Sequence, residues 1–198
     1  MINITGRIAL AAAIGMGTLL GLSGCGGDSA KYLKYSNSNP QVNLSVEYPD
    51  GWRYIAYKNQ QSGFPVVVFA PPADGSGAFS VLMSVEVADT KGAGGKELSA
   101  KAVTDGIIER ELKMPEARLL SRTKASVGFT KAEDIRMSLN MLDKMHTKGS
   151  KLLPSLARIM TFKKGDKVYA VKLIAKQEEY ERYGKAFDRM VKTLKKVN

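Results

Sequence analysis

The chain has 198 residues, with 30 lysines and arginines against 19 aspartates and glutamates, a formal net charge of +11 at pH 7. That length fits one ordinary domain with a core of its own. A single cysteine excludes an intramolecular disulfide and a zinc cluster of thiolates, so stability must come from packing.

Residues 1–24 read as an address rather than as part of a fold. Arg7 supplies a positive start, Ile8 to Leu22 is an apolar run broken only by Gly and Thr, and the small pair Ser23-Gly24 precedes Cys25. That order describes an export signal, too short and glycine-rich for a membrane-spanning or core helix. Leu22-Ser23-Gly24-Cys25 resembles the lipobox of bacterial lipoproteins. The resemblance implies cleavage before Cys25, a diacylglyceryl group on its sulfur and a fatty acyl chain, such as palmitate, on the new amine. One chain binds a bilayer only marginally, while each buried methylene adds about 0.8 kcal/mol, so two or three chains on one residue make a durable membrane anchor. The expected location is the cell envelope, on the exported side of a bacterial membrane. Gly26 stands where an aspartate would signal inner-membrane retention, which favours the outer membrane where a cell has two. No later stretch approaches the ~20 apolar residues that span a bilayer. Nucleic acid is excluded as a partner by export itself.

Residues 25–40 are read as the lipidated cysteine and a flexible tether, and 41–198 as the domain. The tether is small, polar and rich in turn formers. As a coil, ~15 such residues hold the domain on the order of 20 Å from the anchor. Tyr32, Leu33 and Tyr35 form an apolar cluster able to dock its end on the body.

From Val42 the pattern has period two. Val42, Leu44, Val46 and Tyr48 alternate with polar residues, which predicts a half-buried strand. Pro49-Asp50-Gly51 turns the chain, and Trp52 to Tyr57 is aromatic and β-favouring, so a hairpin is expected, with Trp52 as its core anchor. Val66 to Phe69 is a continuous apolar strand, and Phe79, Val81, Met83, Val85 and Val87 alternate into a long one. Thr90 to Glu97 contains Gly92-Ala93-Gly94-Gly95-Lys96, but it has threonine where a phosphate-binding loop has its first glycine and glutamate where that loop has Ser or Thr.

Residues 97–113 repeat apolar positions at helical spacing and stop before Pro115. Gly106 inside this helix implies a bend or a close approach. Leu119 to Phe129, Ile135 to Met141, Leu156 to Phe162 and Val168 to Ala175 are strands, the last two joined by a Gly165-Asp166 turn. Tyr180, Tyr183, Phe187, Met190, Val191 and Leu194 then mark one face of a C-terminal helix, with Arg189 and Lys192 on the other. Seven or eight strands in hairpin order with one helix between and one at the end give an α+β class: a mainly antiparallel sheet flanked by helices.

That order, with Val46-Glu47-Tyr48-Pro49-Asp50-Gly51-Trp52 near the start and Gly165-Asp166-Lys167-Val168-Tyr169-Ala170-Val171 near the end, resembles the PsbP-like family. The resemblance spans about residues 41–198 and implies an α/β/α sandwich. It also implies a non-enzymatic accessory or assembly domain at a membrane surface, since the family includes the extrinsic photosystem II subunit and bacterial lipoproteins. No family ligand residues carry over by position.

The sequence offers no catalytic constellation, cofactor motif or metal set. His146 is the only histidine and sits among lysines, which repel a metal. Glu109, Glu111, Glu178, Glu179 and Glu181 belong to solvated helix faces and ion pairs, and no Gly-x-Ser-x-Gly elbow occurs. The one candidate surface is basic: Lys144, Lys148, Lys151, Arg158, Lys163, Lys164 and Lys167 fall against only Asp143 and Asp166. A loop and a hairpin turn sharing this patch would bind an acidic protein or an anionic lipid surface. The alternative is a carrier of a small apolar ligand in a pocket between sheet and helix, which needs a connected apolar cavity of ~300 Å³ or more.

Overall fold

The computed structural model describes residues 31–39, 41–73, 79–90, 97–142 and 151–196. Within them, β1 (Tyr32–Asn37) and β2 (Leu44–Pro49) form a two-stranded antiparallel sheet. A seven-stranded sheet holds β3 (Arg53–Lys58), β4 (Pro65–Ala70), β5 (Val81–Asp89), β6 (Arg118–Val127), β7 (Thr130–Leu142), β8 (Leu152–Lys164) and β9 (Lys167–Lys176). Its order is β3-β4-β5-β9-β8-β7-β6, antiparallel throughout. β5 ends in the middle of the sheet and β6 begins at its edge. The chain covers that distance through α1 (Ala100–Glu111), whose N-cap Ser99 accepts a hydrogen bond from the Ala102 N–H at 3.0 Å. A 3-10 turn at Tyr180–Tyr183 leads into α2 (Gly184–Thr193).

Period-two alternation sends Val81, Met83, Val85 and Val87 of β5 and Tyr169, Val171 and Leu173 of β9 to one face, where α2 and the small sheet cover them. Ile135, Met137, Leu139 and Met141 of β7 go to the other, under Val103, Ile107 and Ile108 of α1. The result is three layers: α1, the large sheet, and a mixed layer of α2 with β1 and β2. The expected antiparallel α+β sandwich is therefore the observed architecture.

Four local expectations change. Residues 32–37, assigned to the tether, are a strand, because Tyr35 pairs with Val46 and buries its ring beside Phe69. The expected hairpin across Pro49-Asp50-Gly51 is not a hairpin: β2 pairs with β1, and the turn, with Gly51 at φ +79°, hands the chain to the other sheet. Trp52 is accordingly half-buried at the sheet margin, its ring edge-on to Tyr183 at 5.8 Å, rather than deep in the core. Gly106 shows neither bend nor close approach, since it is exposed with nothing within 4 Å of where a Cβ would stand.

Candidate functional site

The basic run does not form one patch. Lys151 precedes β8 and Lys164 ends it, and 13 strand residues at about 3.3 Å each separate the two by roughly 40 Å. Arg158 stands mid-strand inside a clamp. Its Nε donates to both oxygens of Asp134 at 3.1 Å, its Nη2 to Asp134 at 2.8 Å and its Nη1 to Asp188 at 2.8 Å, while its guanidinium lies 4.9 Å over the Phe187 ring. Burial is the largest single influence and works against its charge, but the hydrogen bonds and charges of Asp134 and Asp188 together outweigh it, and the pKa is raised. Arg158 thus ties α2 to β7 and β8 and is not a free member of a surface patch. Lys163 donates to Glu97 at 3.1 Å, and Lys167 is buried at the start of β9. Leu22, Ser23, Gly24, Cys25, Lys144, His146 and Lys148 lie outside the described residues.

Lys164 instead meets three lysines from distant parts of the chain. With Lys34 of β1, Lys192 of α2 and Lys195 just beyond it, it lines a cavity of about 420 Å³. The end of α2 is fixed there by backbone pairing, Ser45 N–H to Lys195 O at 2.7 Å and Lys195 N–H to Ser45 O at 2.9 Å, and by the Glu47 N–H donating to Thr193 Oγ1 at 3.1 Å. Glu47 is the one carboxylate in the lining, and Arg189 already holds it at 2.7 Å. Among the described residues, none of the four lysines has a carboxylate partner. Ammonium groups are donors only, so a cavity lined by several of them and no free acid presents hydrogen-bond donors and positive charge, the chemistry that anionic oxygens complement.

Elsewhere the titratable groups hold the fold together. Under α1, Glu86 accepts two hydrogen bonds from Arg110 at 3.0 and 2.7 Å, and Glu111 accepts one from Lys172 at 2.8 Å. Glu111, expected on a solvated helix face, is buried. Among the described residues no group of three or more His, Cys, Asp or Glu side chains is placed to hold a metal. The space between α2 and the sheet, where a carrier would need its pocket, is filled by Phe187, Met190, Val85 and Val171, each fully buried. Two further cavities, of about 370 and 600 Å³, lie at the opposite end of the sheet around Pro154 and Gln177.

No protein-family model and no curated protein sequence matches the chain. Solved structures do. The solution structure of cyanobacterial PsbP (CyanoP) from Synechocystis sp. PCC 6803 superposes with a TM-score of 0.55 at 16% identity, covering 89% of this chain and 99% of that one. The chain has a PsbP-like fold. Also similar are LpqN, involved in cell envelope biogenesis of Mycobacterium tuberculosis (TM-score 0.45, 14% identity, 86% of this chain and 93% of that one), and the Saccharomyces cerevisiae Ran-binding protein Mog1p (TM-score 0.49, 12% identity, 86% and 97%). At such identities the likeness concerns the fold alone.

Proposed function

We propose that this protein is an exported, lipid-anchored, non-catalytic accessory domain that binds an acidic protein or envelope component through its lysine-lined end. The observation that carries this reading is the cavity of Lys34, Lys164, Lys192 and Lys195, whose only carboxylate is engaged by Arg189. The anchor rests on Leu22-Ser23-Gly24-Cys25. Among the described residues no helix is long and apolar enough to cross a membrane. The test is affinity capture from detergent-solubilised membranes with the wild type and with Lys164→Glu, Lys192→Glu and Lys195→Glu combined. The expected result is a partner retained by the wild type and released both by the reversals and by raised salt. A retained set unchanged by either treatment would place recognition elsewhere, first at the exposed strand around Tyr54 and Tyr57.

A further inference from the structure

A second feature stands at the lysine end. Phe129, in the turn between β6 and β7, has a relative exposure of 111%, so its ring touches little but water. The register places that turn: Ala132 pairs with Phe162, and two residues further along each strand stand Thr130 and Lys164. Phe129 is the next residue. Lys131 and Lys124 flank the same turn, both exposed. An apolar ring offered to solvent beside lysines contributes nothing to the core, and it is the pairing that interfacial membrane segments use, the ring entering the headgroup boundary while the cations meet anionic lipid.

The length of chain before the fold favours the same occupant. Nine residues lead from Cys25 to Lys34, and fully extended they span no more than about 30 Å. A cavity held that close to an acylated cysteine meets the bilayer at high effective concentration. Resting on the lipid-anchored reading above, we infer that the lysine end docks on the anionic bilayer itself. Lipid phosphates face Lys34, Lys164, Lys192 and Lys195, and Phe129 enters the interface. An acidic protein would answer the lysines but leave the ring without a role.

The test uses the full acylated chain. Since Cys25 is the only cysteine and its sulfur carries the lipid, Ser126→Cys beside the turn gives one free thiol for an environment-sensitive fluorophore. The protein is reconstituted with vesicles of phosphatidylcholine alone or with phosphatidylglycerol added, each containing a quencher-bearing lipid. Docking predicts quenching at least about threefold stronger on the anionic vesicles, reduced by raised salt, by Phe129→Ser and by the triple lysine reversal. Three results would overturn it: an unquenched probe on anionic vesicles, as expected if an acidic protein is the true occupant; equal quenching on both vesicles; or quenching that the variants leave unchanged. Flotation of the same samples separates this from failure of the anchor. A chain without an anchor does not float with phosphatidylcholine, yet floats with the anionic vesicles if docking is real and with neither if it is not.

Discussion

Replacing Glu86 with Gln tests whether the charge network beneath α1 holds that helix to the sheet. Glu86 is 7% exposed, and its two oxygens take both terminal nitrogens of Arg110 at 2.7 and 3.0 Å. Glutamine keeps the shape and one acceptor but removes the charge, leaving Arg110 with Glu111 at 3.7 Å as its remaining acidic neighbour in the network. A hydrogen bond to a charged group contributes about 1.5–3 kcal/mol, and removing one member of a buried pair costs about 3–5 kcal/mol. Because Arg110 keeps a weaker partner, about 2–3 kcal/mol is expected. Urea unfolding followed through Trp52, the only tryptophan, reads this directly. With a slope of about 2 kcal/mol/M, the midpoint should fall by roughly 1–1.5 M. Arg110→Met alone should cost at least as much, since it strands a buried carboxylate, whereas Glu86→Gln with Arg110→Met together should cost far less than the sum of the two. Their coupling should be about 2 kcal/mol. Strictly additive costs, or single variants within ~0.5 kcal/mol of the wild type, would show that the network does not secure the helix.

Phe187→Ala, at a fully buried position, should cost about 3–5 kcal/mol and lower the melting temperature by roughly 6–20 °C, while Lys192→Ala on the exposed face should change stability by less than ~0.5 kcal/mol. Gly106→Ala should stabilise the protein by about 0.5–1 kcal/mol in the same thermal assay, because the site is helical, exposed and has open space for a methyl group. Metabolic labelling with a fatty acid should mark the wild type and spare Cys25→Ala, and equal labelling of the two would remove the anchor from the proposal.

Alternation made β2, β5 and β7 legible in the sequence, and helical spacing did the same for the buried face of α2. What alternation cannot say is whether the second face of a strand meets water. Glu86 and Lys172 occupy the polar positions of β5 and β9, yet α1 covers them, so residues that read as a solvated face belong to a buried network. β1 was hidden for a different reason. Tyr-Leu-Lys-Tyr-Ser-Asn alternates poorly, and its strand conformation comes from pairing with β2 and from the contacts of Tyr35 with Tyr54 and Phe69. The cavity was illegible because its lysines come from three separate stretches. Only Lys164 belongs to the charge run, Lys192 lies on the face of the C-terminal helix opposite its apolar stripe, and Lys34 falls in the polar stretch before the period-two pattern begins.

The one carboxylate in the cavity wall is taken by an arginine, and the same pairing recurs across the molecule. Arg110 holds Glu86, Arg122 holds Asp105 and Glu133, Arg158 holds Asp134, and Arg189 holds Glu47. A planar guanidinium matches a carboxylate better than an ammonium does, and with Arg189 on Glu47 the cavity lysines have no carboxylate partner among the described residues. Glu47 is the decisive case: it lies in the cavity wall, opposite Lys34 in the β1–β2 register, yet Arg189 Nε and Nη2 reach it at 2.8 and 2.7 Å. Arg189→Met should therefore free Glu47 to neutralise a cavity lysine and weaken anion binding, although no lysine changes. The assay is the salt concentration that elutes the protein from a phosphate-bearing resin. Lys101→Met, which removes the same single charge from an exposed pair with Asp105, controls for net charge. Arg189→Met should elute earlier than Lys101→Met, and adding Glu47→Gln to Arg189→Met should restore most of the difference. Identical elution of the two single variants would mean that the resin senses only total charge, and that the arginine does not keep the cavity open.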